Sequence, residues 1–404
     1  MQLHYFFNKH YVALLLLFLL GSCKNVMPMK SKNQGGFYSL KMQADRPVGE
    51  QKIISTIDKD ATLETIALYN NLKNAGKLHT LFGHQDDTKT GYDWANEYDF
   101  QKMNAPYIID SDVKKVTGAY PVVYGWDLSR IIDFYTGDRK AWETNITRNL
   151  TIEAYNRGGI NTYSWHYHNP VAKEGIWWQD AQVEAVKHIL PGGSHHEVYK
   201  KSLKELANYI NSLIGADGKL IPIILRPFHE MNGDWFWWGK GHCTVQEYKQ
   251  LYQFTVKYLR DDLGVHNLLF AWSPDRAFTT ETQYLEYYPG DAYVDIVGID
   301  NYFDLLPGND PSVAGEKLKI ISDFAIKKNK IAAFTETGLD KVYKANWFTQ
   351  MLLPALKNQS IEISYLMLWS NTTDMYWTPY VGHPAVNDFI DFKNESSIVF
   401  SDEL

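Results

Sequence analysis

Two glutamates in the second half of the sequence each follow a short apolar run and lie among aromatic and histidine residues. Glu230 belongs to the segment RPFHEMNGDWFWWG (226–239), and Glu336 belongs to FTETG (334–338). Paired carboxyl groups can do acid–base chemistry when their surroundings push their pKa values apart, so that one is protonated while the other is ionised. Whether these residues form such a pair depends on the elements that position them.

The elements around these glutamates follow a repeating order along the chain. Short apolar runs of strand length occur at 78–85, 120–127, 160–167, 222–230, 268–275, 295–302, 331–338 and 363–370. They lack strict alternation, which is typical of strands buried on both faces. Helical patterns precede the first, fourth, fifth and seventh runs, at 61–76, 195–218, 244–264 and 312–329.

Strands that alternate with helices predict parallel βα units, and eight such units predict a closed (β/α)8 TIM barrel, an α/β fold. We expect one domain over residues 51–404. The alternative is an open doubly wound sheet, which expects a glycine-rich phosphate turn after the first strand. This sequence has GHQDD there (83–87), so the barrel is favoured.

In such a barrel the carboxyl ends of the strands meet at one mouth. Glu230 ends the fourth run and Glu336 lies in the seventh, so the two should face each other across that mouth. Arg226 shares strand parity with Glu230 and should point into the barrel, where it needs a carboxylate partner. The full set of polar and aromatic residues predicted at the mouth is His84, Gln85, Trp126, Asp127, His166, His168, His229, Glu230, Asp275, Tyr302, Glu336 and Trp369.

Composition and motif spacing exclude several functional classes. The formal net charge of −7 argues against nucleic acid as a partner, because phosphate binding requires a basic face. The histidines at the mouth raise the alternative of a metal-dependent hydrolase, but HEMNG (229–233) lacks the HExxH spacing. We therefore expect no metal and no cofactor. The 13 Trp, 27 Tyr and 19 Phe can fill a core or form flat platforms for sugar rings.

The beginning of the sequence resembles an export signal. NKHYVALLLLFLLGSC (8–23) has a basic start, an apolar run too short to span a bilayer, and an ending similar to the bacterial lipoprotein processing box. It predicts a lipoprotein signal peptide at 1–22, lipidation of Cys23 and a tether at 23–50. We expect attachment to the outer membrane through that lipid alone, with the periplasmic face favoured over the cell surface. The alternative is an ordinary signal peptide with an incidental cysteine.

Three segments together resemble a known family of enzymes. RPFHEMNGDWFWWG (226–239), FTETG (334–338) and SYLMLWSN (364–371) are similar to glycoside hydrolase family 26, chiefly its β-mannanases, over about residues 55–400. The resemblance implies a catalytic (β/α)8 barrel with glutamates on strands four and seven. It also implies hydrolysis, with retention of configuration, of β-1,4-mannosidic bonds in mannan, galactomannan or glucomannan, and we expect a monomer.

The same resemblance assigns roles to individual residues. Glu230 corresponds to the general acid/base and Glu336 to the nucleophile. The implied substrate-binding residues are His166 and His229 near the −1 sugar, Trp235 at +1, Tyr302 beside the nucleophile and Trp369 under the −1 sugar. Less specific candidates are Trp126, His168, Trp177, Trp178 and Arg226. Some family members have an arginine where this chain has Ser370, which leaves the distal glycone subsites open.

Alternative activities stay open on the same barrel. An exo-acting enzyme that releases mannobiose would result if the long third loop (168–195) and the region of Ser370 closed the glycone side. A lichenase or xylanase would keep the chemistry and change the substrate. A non-catalytic glycan-binding protein is disfavoured because both glutamates are present.

Overall fold

The fold comes from a computed structural model that describes residues 56–94, 109–134, 137–357 and 360–404. The predicted signal peptide, Cys23 and the tether lie outside these residues. Among the helices that the structure describes, none combines the length and the apolar character required to cross a bilayer.

Eight parallel strands form a closed barrel, as predicted. The first strand pairs with both the second and the eighth, which closes the sheet on itself. The open-sheet alternative is therefore wrong. A short ninth strand pairs in parallel with the first two residues of the first strand. The strands are β1 Thr80–Gln85, β2 Val123–Asp127, β3 Ile160–Trp165, β4 Ile223–Pro227, β5 Leu268–Trp272, β6 Ile296–Asp300, β7 Ile331–Thr337, β8 Tyr365–Leu368 and β9 Ile398–Val399.

Helices lie between the strands, and the four that the sequence predicts are present as α1, α6, α7 and α9. The α-helices are α1 Leu63–Ala75, α2 Asp112–Thr117, α3 Asp138–Asn156, α4 Trp178–Ala181, α5 Val186–Ile189, α6 His196–Asn211, α7 Val245–Lys257, α8 Glu281–Tyr284, α9 Pro311–Lys328, α10 Leu353–Lys357 and α11 Val386–Lys393. Short 3-10 segments cover Asp291–Tyr293, Phe303–Leu305, Asp340–Val342 and Ser401–Glu403, and π-helical turns cover Tyr258–Asp262 and Phe348–Leu352.

Local sequence sets the ends of the long helices. A reciprocal pair of side-chain bonds between Thr244 and Glu247 caps the beginning of α7, which satisfies two otherwise free backbone N–H groups. The π-helical turn continues α7, and Gly264 follows with φ +62, a conformation that glycine adopts without strain. Asp310 caps α9, whose first residue is Pro311.

Two apolar clusters hold the barrel together. One fills the barrel interior, with Ile224, Leu269 and Ile296 among its members. The other lies between the strands and the surrounding helices. All but one of the residues in the eight barrel strands are buried, which explains why they show no alternation of apolar and polar residues. With both faces packed, the barrel provides a rigid frame for the side chains at its mouth.

Candidate active site

The two glutamates meet at the mouth, as predicted from strands four and seven. Glu336 lies in β7, and Glu230 comes three residues after the end of β4. An oxygen of Glu230, one of Asp300 and one of Glu336 all lie within 4.8 Å of one another. The fold thus joins two carboxyl groups that are distant in sequence into one cluster, with a third from β6.

Glu230 is held in an unusual backbone conformation. Its φ is +55, a left-handed value that side chains rarely adopt, and its N–H donates to the Ser273 carbonyl at 2.8 Å. The indole N–H of Trp235 donates to its Oε2 at 2.7 Å. Burial raises the pKa of Glu230 well above its usual range, and the charges of Asp300 and Glu336 add to this effect. A carboxyl group in this position can keep its proton near neutral pH and donate it.

Glu336 has the opposite kind of surroundings. Arg226 donates an Nη2 hydrogen bond to its Oε1, and the Tyr302 hydroxyl donates to its Oε2 at 2.9 Å. Both oxygens of Glu336 therefore accept a hydrogen bond, and Arg226 brings a positive charge to one of them. Arg226 points into the barrel, as predicted, and one of its carboxylate partners is Glu336 itself. The two glutamates therefore occupy surroundings that suit a proton donor and an ionised carboxylate.

Asp300 completes the cluster at the end of β6. It accepts from Arg226 Nη1 at 2.8 Å, from Ser273 at 3.0 Å and from Thr335 at 2.7 Å. Burial raises the pKa of Asp300 to about 8, although Arg226 opposes that rise. Three carboxyl groups this close together are a possible cation site, but Arg226 already supplies positive charge to two of them. We assign no metal here, and the expected lack of a metal stays a prediction.

Two histidines lie beside the carboxyl groups and touch each other. The Nε2 atoms of His166 and His229 are 3.1 Å apart, and Nδ1 of His166 is 2.5 Å from Oδ2 of Asp127. His166 also meets the Trp369 ring edge to face, with centroids 5.8 Å apart. His168 lies in the following loop, half-buried, and burial lowers its pKa. Of the two candidate histidines on strand three, His166 is the one that contacts His229 and Trp369.

The segment that follows Glu230 forms a lip of packed rings over the site. Trp237 and Trp238 are fully buried, and their indole N–H groups donate to the backbone carbonyls of Tyr167 and His229. Phe236 stacks on Trp238 with centroids 4.4 Å apart. These three rings therefore support the lip, while Trp235 is half-buried and faces Glu230.

The third loop packs against this lip. The backbone N–H of Trp178 donates to the backbone carbonyl of Trp235 at 2.6 Å, and the Trp177 ring stacks on Phe236 with centroids 5.0 Å apart. Trp177 is 42% exposed, so one face of its ring is open to solvent. The half-buried Trp178 stacks on His242 instead. Of this pair, Trp177 offers the more open surface to a flat ligand.

The prediction that Trp126 contacts a ligand is wrong. Its side chain is fully buried in the outer cluster, and its indole N–H donates to Asn161 at 2.8 Å. Val123 lies in the interior cluster, so alternation along β2 turns Trp126 towards the helices. It packs there against Tyr124 as part of the core.

Sequence reasoning gave no role to Asp300, Ser273 or Asp127, which bind the ionisable groups of the site. Asp300 and Ser273 both contact Arg226, and Asp127 contacts His166. A signal for Asp300 existed, because it shares strand parity with Ile296 on the interior face of β6. Ser273 directly follows β5 and shares the strand parity of the interior residue Leu269, so the same signal existed for it.

Comparison with known proteins agrees with this geometry. Residues 57–382 match the sequence profile of glycosyl hydrolase family 26. The chain belongs to glycosyl hydrolase family 26. A mannan endo-1,4-beta-mannosidase from Bifidobacterium adolescentis is 36% identical over 337 residues, which cover 79% of this chain and 32% of that protein. A mannan endo-1,4-beta-mannosidase from Bacillus subtilis is 27% identical over 383 residues, which cover 90% of this chain and 90% of that protein. The chain thus spans about a third of the Bifidobacterium adolescentis protein and most of the Bacillus subtilis protein.

Solved structures of family 26 proteins have the same fold. The GH26C protein of a Muricauda species is 38% identical, with a TM-score of 0.81, and the match covers 88% of this chain and 98% of that one. The family 26 beta-mannanase BoMan26A from Bacteroides ovatus is 35% identical, with a TM-score of 0.76, and the match covers 84% and 95%. The (β/α)8 barrel predicted from the sequence is therefore shared with family 26 structures.

Proposed function

We propose that this protein is a retaining β-1,4-mannanase that cleaves mannan, galactomannan or glucomannan by double displacement. The observation that carries the proposal is the pair of carboxyl groups of opposite character at the barrel mouth. One oxygen of Glu230 and one of Glu336 lie within 4.8 Å of each other. Retaining glycosidases hold their two carboxyl groups about 5 Å apart, whereas inverting ones leave a wider gap for water.

The surroundings of each group support a distinct role. Glu336 attacks the anomeric carbon as an ionised nucleophile, held by Arg226 and Tyr302. Glu230 donates its proton to the leaving oxygen. Formation of the glycosyl ester removes the negative charge of Glu336, which is one of the causes that raise the pKa of Glu230. Glu230 is therefore ionised after the first step and accepts a proton from the attacking water in the second step, which breaks the glycosyl ester, releases the sugar and restores ionised Glu336 and protonated Glu230.

The choice of mannan is supported by the relatives, several of which are named mannan endo-1,4-beta-mannosidase. Trp235 is proposed to border the +1 sugar, because it lies next to the acid/base. Trp369 and the histidines are proposed to contact the −1 sugar. The third loop contacts the lip beside Glu230, on the proposed leaving-group side, and this removes one reason to expect an exo-acting enzyme.

Replacement of each glutamate tests the mechanism. We expect Glu336→Ala to abolish mannan hydrolysis and Glu230→Ala to lower kcat by about 10²- to 10⁴-fold, in keeping with the loss of a general acid/base. Azide should rescue Glu230→Ala and give a β-mannosyl azide, because the small anion can attack the glycosyl–enzyme from the open face. Glu316→Ala, an exposed residue of α9, is the control and should hydrolyse mannan at the parent rate.

Hydrolysis at the parent rate by both glutamate variants would refute the proposal. An α-configured first product from the parent enzyme, seen by proton NMR, would refute retention. The time course on mannohexaose separates endo action, which gives a ladder of sizes, from exo action, which gives mannobiose from the beginning. Parallel assays on lichenan and xylan test the alternative substrates.

A further inference from the structure

A chain of three polar side chains runs from the end of β2 to the residue next to Glu230. Asp127 Oδ2 lies 2.5 Å from His166 Nδ1, and His166 Nε2 lies 3.1 Å from His229 Nε2. His229 is the residue directly before Glu230 in the sequence. These three side chains therefore connect a carboxylate outside the carboxyl cluster to the residue that precedes Glu230.

Asp127 is built to stay ionised. Its Oδ1 accepts from the Ser129 N–H at 2.7 Å, and its Oδ2 accepts from the Ser164 hydroxyl at 2.7 Å as well as from His166. Burial on its own raises the pKa of Asp127. His166 and these hydrogen bonds outweigh burial and hold that pKa well below its usual range. An ionised Asp127 can only accept, so Nδ1 of His166 carries a hydrogen.

The two facing Nε2 atoms need one hydrogen between them. If His166 provides it, His166 is doubly protonated and His229 is neutral, with its own hydrogen on Nδ1. If His229 provides it, both rings are neutral. The ionisable groups that face His166 decide between the two states, and they come from four strands: Asp127 from β2, His168 from the loop after β3, His229 and Arg226 from β4 and its end, and Glu336 from β7.

The balance of these charges favours a proton on His166. Burial and Arg226 lower the pKa of His166, but Asp127 and Glu336 raise it more, and the net direction is upward. Burial, Arg226 and His166 all lower the pKa of His229. The lone pair of His229 Nε2 then faces a donor, as a hydrogen bond requires, while its Nδ1 is buried without a hydrogen-bond partner among the residues that the structure describes.

We infer that Asp127 is a positioning residue that keeps His166 doubly protonated and thereby fixes neutral His229, with its hydrogen on Nδ1, beside Glu230. The inference deepens the proposed function, on which its effect on catalysis rests. His166 then carries a positive charge that interacts with Glu336, and Asp127 balances that charge.

The proton positions can be observed directly in the full chain by NMR of the imidazole nitrogens. A doubly protonated ring gives two similar nitrogen shifts, whereas a neutral ring gives two widely separated ones. We expect the parent His166 to be doubly protonated at pH 7, and Asp127→Asn to make it neutral at that pH. The His166 signals are assigned by their absence from His166→Gln. A neutral His166 in the parent at pH 7 overturns the inference even if Asp127→Asn does not fold.

Enzyme kinetics on mannan provide the second measurement. In Asp127→Asn, loss of the His166 proton should lower kcat/KM relative to the parent more at pH 7.5 than at pH 5.5, because an imidazole loses its proton as the pH rises. Asp58→Asn is the matched control, since Asp58 forms a similar pair with His266, at 2.9 Å, without contacting the site. It should keep the parent pH profile.

The outcomes separate this inference from the proposed function. A uniform loss of activity at every pH in Asp127→Asn, with His166 still doubly protonated, would show that Asp127 has only a structural role. An inactive parent would refute the mannanase proposal, yet the nitrogen shifts would still test the proton arrangement, because they are measured without substrate.

Discussion

The hydrogen bond from Trp235 to Glu230 gives a sharp test of how the acid/base is tuned. The indole N–H donates to Oε2 at 2.7 Å and so favours the ionised carboxylate, against the burial that favours the protonated one. Trp235→Phe keeps an aromatic ring at the lip and removes this donor. We therefore expect the pKa of Glu230 to rise further above its usual range, so that the enzyme stays active at higher pH than the parent.

The size of the effect follows from the strength of the bond. A hydrogen bond to a charged group contributes about 1.5–3 kcal/mol, and one pKa unit corresponds to about 1.4 kcal/mol. Glu230 is half-buried, so water can replace part of the lost donor, and the lower end of that range applies. The alkaline limb of the kcat/KM profile should therefore move up by about one pH unit.

The assay is kcat/KM on mannohexaose across the pH range, which reports the ionisation of the free enzyme. KM should also rise if Trp235 contacts the +1 sugar. Trp237→Phe is the matched control, because it removes the same kind of donor from the same lip, but the acceptor is the Tyr167 carbonyl. An alkaline limb of Trp235→Phe that coincides with the parent, or moves to lower pH, would refute this account of Glu230.

Two further predictions concern stability. Trp126→Phe should lower the free energy of unfolding by about 1–3 kcal/mol, through a lost hydrogen bond to Asn161 and a small cavity, with kcat/KM unchanged; lower activity at parent stability would place Trp126 at the site after all. Burial raises the pKa of Asp295 to about 6, so its contribution to stability, about 3 kcal/mol, is present below pH 4 and is lost as pH rises through 6. The free energy of unfolding in urea, measured at pH 4 and at pH 7.5, should fall more between these pH values in the parent than in Asp295→Asn. An equal fall in both proteins would contradict the assignment.

The strands and the two glutamates were predictable because their signals are local. A buried strand needs a short run of apolar residues, and the order of strands and helices then limits the topology. Helix α3 gave no such signal, since its buried face includes polar residues such as Glu143, Thr147 and Thr151. Glu143 is buried there against Lys89 at 3.0 Å, a contact between segments that are distant in sequence.

Odd or even position along a strand predicted which face a side chain occupies only as far as the strand continued. Arg226 points into the barrel as its parity with Ile224 indicates. Phe228 shares that parity, but its φ of +53 turns the chain after β4 ends, and the ring packs in the outer cluster. Trp126 shows a related difficulty. In strands buried on both faces, apolar and polar residues do not alternate, so the sequence does not distinguish side chains in the barrel interior from those that face the helices.

By itself, the sequence determined the barrel, the two glutamates on opposed strands and the ring-rich lip after Glu230, because each depends on residues close together in the chain. Only the tertiary structure decided which groups surround those glutamates. Arg226 contacts Asp300 and Glu336, and Asp127 reaches His166, across strands that the sequence separates by many residues. The pKa of a carboxyl or imidazole group depends on burial and on charges within a few ångströms, and those neighbours exist only after the barrel has closed.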